Sequence, residues 1–301
     1  MLSQKHRTLF RLWAGLWSFL VCCAPLSAEQ PRQPVGEVTT YIAQEGEDLL
    51  DIAHKHRLAI DHLTFANRWP QTATRIYPET PVLIPNLRLL PRNHPNDGIV
   101  INLPERMLFF FRRGKLMETM PVSIGAVGDY ETPSGRFRVV EKLKDPVWYP
   151  PPWAEQKKPV PPGPDNPLGD RWIGLSAPRY GIHSTYQPVN VGHNVTHGCL
   201  RAYPDLLREF YPKVKVGMPV FLEYETVKLG RSDDGRLFLL AYPDAYGKSN
   251  PVERGKKIAK LYGYRLTPEQ LQELDDCTGL PIWLDETKQA RLKRSNEGEV
   301  E

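Results

Sequence analysis

Tyr180-Gly181-Ile182-His183-Ser184 and Thr196-His197-Gly198-Cys199-Leu200-Arg201 are the two stretches that decide how this chain reads. A thiol is a good nucleophile only as thiolate, so a reactive cysteine needs a base or a cation beside it. His183 precedes Cys199 by sixteen residues, enough chain to leave one strand, turn and return alongside it. Gly198 lets a substrate approach the backbone and frees N–H groups as oxyanion donors. Arg201, two residues beyond the cysteine, suits a carboxylate. Read this way, the segment is a Cys–His site carried on strands and turns. Two other readings of the same residues stay open. His183, His193 and His197 with Cys199 could form a zinc set, though the spacing follows no common zinc pattern and no CxxC is present. Cys199 could also be a buried structural cysteine. The papain order, with cysteine well before histidine, does not apply. The sequon Asn194-Val195-Thr196 lies inside this segment and is discounted as a glycosylation acceptor.

Outward from this segment the chain is strand-rich. Residues 98–103, 106–112 and 115–124 are β-branched or aromatic runs joined by Pro104-Glu105-Arg106 and Arg113-Gly114-Lys115. Residues 135–143 alternate, and 216–224 read as a closing strand introduced by Gly217 and Pro219. Between them, 145–169 hold nine prolines together with Trp148, Tyr149 and Trp153. Such a stretch is neither helix nor central strand. A loop of that length inside a domain suggests a lid, or alternatively a proline-rich ligand for another protein. Residues 225–301 read as an appendage, helical at 251–262 and from Leu271 onward. Thr267-Pro268-Glu269-Gln270 forms a capping box there, and a charged tail follows Leu284.

On the N-terminal side, 29–37 and 88–97 are polar, proline-containing linkers around a unit at 38–87. Residues 38–43 alternate like a strand. Asp48 can cap a helix over Leu49, Leu50, Ile52 and Ala53, and Asp61 a second over Leu63, Thr64 and Ala66. Pro81-Val82-Leu83-Ile84-Pro85 closes the unit with a strand. Tyr41, Gly46-Glu47-Asp48-Leu49, Ile52-Ala53, Leu63, Asn67 and Leu83-Ile84-Pro85 resemble the pattern of a LysM module. That resemblance implies binding of N-acetylglucosamine-based glycan, as in peptidoglycan.

The chain has 301 residues, enough for about two domains. A charged fraction of 25% and a hydrophobic fraction of 41% exclude disorder along its whole length. Thirty prolines argue against a helical bundle. Residues 1–28 read as a signal peptide: Lys5, His6, Arg7 and Arg11, then an apolar run at 12–21, then Ser27-Ala28. The apolar run is short for a bilayer, so no transmembrane span is expected in the mature chain. Without the leader's three Lys and Arg, 36 bases face 35 acids, and the formal charge of +4 shrinks to +1. Nothing in that balance calls for nucleic acid. Export leaves two cysteines, Cys199 and Cys277, which is no disulfide framework, although a bond between the two is compatible with the sequence.

The His183–Arg201 segment resembles the signature of the L,D-transpeptidase catalytic domain, the YkuD-like family. That pattern is a histidine with glycine or serine after it, a spacer, then Ser/Thr-His-Gly-Cys, an aliphatic residue and arginine. Thr132-Pro133-Ser134-Gly135 and the run from Pro161 to Gly169 agree with its flanks. Ser184 and Thr196 are mild departures from the commoner glycine and serine.

The expected class is therefore α+β, mainly β: a small βααβ LysM module followed by a β-rich YkuD-like sandwich domain, with a proline-rich insert and a partly helical C-terminal extension. The expected divisions are 1–28, 38–87, 96–224 and 225–301. The resemblance implies a periplasmic enzyme needing no metal or organic cofactor. Cys199 would attack the third residue of a peptidoglycan tetrapeptide stem and release D-alanine. His183 would act as base, the Ser184 carbonyl would fix its tautomer, and N–H groups around Gly198 would hold the oxyanion. Arg201, His197, Thr196 and Tyr180 would meet the substrate. The acceptor would be a stem amine or an outer-membrane lipoprotein lysine. Water as acceptor, giving a carboxypeptidase, and a non-catalytic wall-binding protein are the alternatives.

Overall fold

The computed structural model describes residues 29–152 and 154–284. The expected leader at 1–28, Trp153 of the insert and the charged tail lie outside the described residues.

The first strand, β1 (Pro34–Val35), leads into β2 (Val38–Ile42). Asp48 then starts α1 (Leu49–Lys55). Its carboxylate accepts the Asp51 N–H at 2.8 Å while Asp51 accepts the Asp48 N–H at 3.0 Å, a reciprocal capping box. Asp61 does not cap the second helix, contrary to expectation. In α2 (Ile60–Ala66) Ala59 holds the cap position, and its N–H donates to His62 Nδ1 at 3.1 Å. Asp61 lies inside the first turn, buried, with its carboxylate paired to Arg106 and His193. A long-range cation outcompetes a local N–H for that carboxylate. Strand β3 (Pro81–Pro85) runs antiparallel to β2, and Asn67 clasps it by exchanging two hydrogen bonds with Leu83, at 2.8 and 3.0 Å. The flanking stretches read as linkers are partly structured: β4 (Arg88–Leu89) pairs with β1, and both of its residues are buried.

Next come β5 (Gly98–Asn102), β6 (Met107–Arg112), β7 (Lys115–Pro121), β8 (Ile124–Gly125) and β9 (Gly135–Lys144). After the insert follow β10 (Arg171–Leu175), β11 (Gly181–His183), β12 (Asn194–Thr196), β13 (Leu200–Arg201), α3 (Pro204–Phe210) and β14 (Pro219–Glu223). One eight-stranded mixed sheet has the order β13-β11-β10-β9-β14-β5-β6-β7, and β8 pairs separately with β12. This is less symmetrical than the sandwich expected. At β5 and β6 the sheet is covered on both faces. Ile99, Ile101, Leu108 and Phe110 pack with Val139, Ile182, Leu200 and the α3 residues Leu207 and Phe210. The alternate residues Val100, Met107, Phe109 and Phe111 share a core with Leu49, Ile52, Leu63 and Ile84 of the βααβ unit. Strand periodicity sends successive side chains to opposite faces, which is why every residue of β5 is buried. Each such fully buried side chain contributes about 1.5–3 kcal/mol.

The proline-rich insert is held by Asn166. Its Nδ2 donates to the carbonyls of Pro146 (2.8 Å), Pro161 (3.1 Å) and Val160 (3.2 Å). Proline supplies no backbone donor, so a side chain organises the loop instead. Trp148 and Val160 also exchange two backbone hydrogen bonds at 2.9 Å.

The C-terminal region contains α4 (Pro251–Leu261) and α5 (Pro268–Asp276), the latter with the expected Thr267–Gln270 box. Three strands were not foreseen: β15 (Val227–Arg231), β16 (Leu237–Ala241) and, at the edge beside β16, β17 (Ile282–Trp283), where helix was expected. Nor is the region a loose appendage. Lys228 of β15 has its side chain fully buried against Glu105 of the β5–β6 turn, and Asn102 exchanges two hydrogen bonds with Glu225 at 2.9 and 3.0 Å.

Candidate active site

Strand β11 lies antiparallel to β10 and parallel to β13, with Ile182 opposite Leu200 and His183 opposite Arg201. The Ala202 N–H donates to the His183 carbonyl at 3.0 Å and secures this register. The two sequence segments thus meet at one edge of the large sheet, with Cys199 immediately before β13. His183 is buried, and its Nδ1 lies 2.6 Å from the Ser184 carbonyl oxygen. A carbonyl only accepts, so Nδ1 carries the hydrogen and Nε2 is left as the basic atom. Cys199 is partly exposed, and its thiol donates to the Arg179 carbonyl at 3.3 Å.

Both side chains are shifted towards their uncharged forms. Burial, aided by the Arg201 charge, pushes the His183 imidazole down to about 4 against the lift from the Ser184 carbonyl. Burial pushes the Cys199 thiol up to about 11, opposed by the Gly181 N–H and by Arg201. Arg201 is half-buried, and its buried Nε has no hydrogen-bond partner among the described residues.

Ser184 contributes more than its carbonyl. Its hydroxyl donates to Asp170 Oδ1 at 2.8 Å and accepts the Asp170 and Arg171 N–H groups at 2.8 and 3.1 Å. Asp170 Oδ2 in turn accepts from Arg208 Nε of α3 at 2.7 Å. The end of the proline-rich insert is thereby tied to the residue that orients His183.

Gly198 has a φ of +103°. A β-carbon there would stand 2.5 Å from Tyr180 Cε1. The glycine is thus required by its backbone conformation and by the Tyr180 ring packed on it, rather than by room for a substrate. Its N–H donates to Thr196 Oγ1 at 3.1 Å, and that hydroxyl donates to the Cys199 carbonyl at 2.6 Å. Thr196 is buried and holds the turn, a task the sequence did not suggest for it. His197 is exposed, with its ring 4.2 Å from that of Tyr130. His193 turns towards α2, its Nδ1 3.0 Å from Asp61 Oδ1, and so does not join a cluster with Cys199. Cys277, a free thiol in the C-cap position of α5, donates to the Leu274 carbonyl at 3.2 Å, and no disulfide joins it to Cys199.

Residues 96–222 match the model of the L,D-transpeptidase catalytic domain, YkuD. The chain is 31% identical over 251 residues to a probable L,D-transpeptidase, ErfK/SrfK of Salmonella typhimurium, covering 78% of each protein. The chain belongs to the L,D-transpeptidase family. A second relative, the probable L,D-transpeptidase YbiS of Escherichia coli K12, is 28% identical over 93% of both chains. A solved L,D-transpeptidase from Mycobacterium smegmatis is 21% identical over 42% of this chain and 57% of its own, with a TM-score of 0.35.

Several residues of this L,D-transpeptidase domain that touch the site were not singled out by the sequence. Trp172 packs on Gly181, where a β-carbon would stand 2.5 Å from its indole ring. Arg179, whose carbonyl receives the thiol, has a φ of +70° in the turn before Tyr180. Asp170 and Arg208 act through Ser184. None of these had a motif to mark it, since each acquires its partner only through β10–β11 pairing or the packing of α3. The prolines before Asp170 were the one available hint.

Proposed function

We propose that this L,D-transpeptidase transfers acyl groups in peptidoglycan, with Cys199 as nucleophile and His183 as base. The Cys199 sulfur attacks the carbonyl of the third stem residue while His183 Nε2 takes the thiol proton. The tetrahedral oxyanion collapses, the C–N bond to D-alanine breaks, and the imidazolium returns the proton to the departing amine. A thioester remains. An acceptor amine attacks it, loses a proton to His183, and releases the thiolate, which is reprotonated. The acceptor is a second stem's side-chain amine, giving a 3–3 cross-link, or a lysine of an outer-membrane lipoprotein.

The observation that carries this reading is the Nδ1–Ser184 carbonyl contact of 2.6 Å on a strand next to the one Cys199 leads into. It leaves Nε2 as a base in a buried setting. Because burial disfavours both charged forms, charge separation is best accommodated in the attack itself, where a bound carbonyl receives the electron pair. With the Gly198 N–H engaged by Thr196, the Cys199 N–H is the better oxyanion donor of the two. Arg201 and His197 suit the stem carboxylate and the groove wall, and Tyr180 backs the Gly198 turn. The βααβ unit at 38–87 is read as a LysM module that holds the glycan, and the leader-like composition of 1–28 as export to the periplasm.

The test is incubation with sacculi rich in tetrapeptide stems, followed by mass spectrometry of the digested wall. D-alanine release with new amide-linked products is expected, and Cys199→Ala should yield neither. Wild-type protein that releases no D-alanine and forms no adduct removes the enzyme reading and leaves wall binding.

A further inference from the structure

The C-terminal region reaches the back of the Cys199 turn. Tyr246, between β16 and α4, is 8% exposed. Its hydroxyl donates to the Gly125 carbonyl at 3.0 Å and accepts the Thr132 N–H at 3.1 Å. The Gly125 N–H donates to Thr132 Oγ1 at 2.9 Å, and the same Thr132 hydroxyl donates to the Gly198 carbonyl at 2.9 Å. Thr132 is fully buried. Tyr246 is itself braced, since its N–H donates to the Tyr224 hydroxyl at 2.7 Å, which donates to Asp244 Oδ1 at 2.6 Å.

A trans peptide carries its C=O and N–H on opposite edges of one plane. Fixing the Gly198 carbonyl therefore fixes the Cys199 N–H, which points away from Thr132. Without that bond the plane is easily turned, because glycine tolerates many backbone conformations. The Gly198 N–H cannot substitute while Thr196 engages it.

We propose that Thr132 and Tyr246 are positioning residues for acyl transfer, holding the Gly198–Cys199 peptide so that the Cys199 N–H faces the developing oxyanion. The C-terminal extension thereby has a part in the chemistry through Tyr246. The inference rests on the acyl-transfer reading above, and it concerns a group that neither bears nor receives the transferred atoms.

The experiment compares the full chain with Thr132→Val, Thr132→Ser and Tyr246→Phe. Two rates are measured: D-alanine release from isolated tetrapeptide muropeptides, and alkylation of Cys199 by iodoacetamide at pH 9, followed on its tryptic peptide. Alkylation is a displacement at carbon that forms no oxyanion. T132V should lose about 100-fold in kcat and Y246F about tenfold, with KM changed less than about twofold. T132S should retain most of its turnover, and all three should alkylate within about twofold of wild type. The inference is overturned if T132V and Y246F turn over like wild type, or if alkylation falls in step with turnover, which would mean a collapsed turn. Wild-type protein that alkylates normally but releases no D-alanine would instead overturn the acyl-transfer reading itself.

Discussion

The His183 ring is held 2.6 Å from the carbonyl of the very next residue, Ser184. The contact sets which nitrogen is basic, and the Ser184 hydroxyl anchors that carbonyl to Asp170. His183→Ala and Cys199→Ala should each lower D-alanine release by about 1,000-fold or more. Ser184→Ala keeps the carbonyl but loses its anchor, and should lower kcat by about tenfold. Steady-state kinetics on tetrapeptide substrate check all three, with circular dichroism to establish that the fold persists.

Because the thiol is pushed up to about 11, alkylation of Cys199 should keep rising with pH well beyond neutrality. A rate that reaches its plateau below pH 7 would show instead a preformed thiolate. The measurement is the pH profile of iodoacetamide labelling in the absence of substrate.

Folding stability should fall on acidification. The His183 imidazole is pushed down to about 4 from an ordinary 6.5. Between those values the unfolded chain binds a proton that the folded chain refuses. The stability is thus fully present above pH 6.5, declines as pH falls through the window, and levels off below about 4. The contribution of His183 is about 3 kcal/mol. His62, pushed down to about 4 by burial and by Arg88, acts in the same direction. Urea midpoints between pH 7 and pH 4 check this, and His183→Gln should flatten the curve.

Gly192 sits at a φ of +96° with the β-carbon of Ala59 directly against it, and its carbonyl accepts from Arg106 Nη1 at 3.0 Å. Gly192→Ala should destabilise the fold by about 2–4 kcal/mol through strain and overpacking. Ala59→Gly in the same chain should restore part of that, because it removes the clash and leaves only the backbone cost. Thermal melts of the single and double variants decide. Equal melting temperatures for G192A and G192A/A59G would contradict the packing account.

Glu105 and Lys228 form a fully buried ion pair, with Tyr242 Oη donating to the same carboxylate at 3.1 Å. Lys228→Met takes away the closer of the two buried cations beside Glu105, leaving Arg88 Nε at 3.7 Å, and should cost about 3 kcal/mol. Adding Glu105→Gln should cost less than the sum of the two single changes, since both changes remove the same Glu105–Lys228 contact.

Much of the fold was legible where the cause is local. Asp48 and Thr267 cap helices because each finds an N–H three residues away. Strands β5, β6, β7, β9 and β14 follow from alternation and turns. Where a residue's partner is distant, local reasoning failed. Asp61 has the look of a cap but is claimed by Arg106 and His193 from another part of the chain. Strands β15 and β16 were missed because Leu237-Phe238-Leu239-Leu240-Ala241 is buried throughout and lacks a clear alternation. The LysM resemblance carried no sign that Leu49, Ile52 and Leu63 would share a core with Phe109 and Phe111.

The sequence by itself determined the chemical type of the site, a histidine and a cysteine in a signature whose order and spacing match the L,D-transpeptidase family. Short-range covalent geometry suffices for that: a glycine before the cysteine, an arginine after it, a serine beside the histidine. The tertiary structure alone decided how those groups are held. It set the burial that disfavours the charged imidazole, the thiol's contact with Arg179, the Asp170–Arg208 brace on Ser184, and the path from Tyr246 through Thr132 to Gly198. Each of these joins residues far apart in the chain, and hydrogen-bond geometry between such residues is fixed only when strand register and packing bring their atoms within reach.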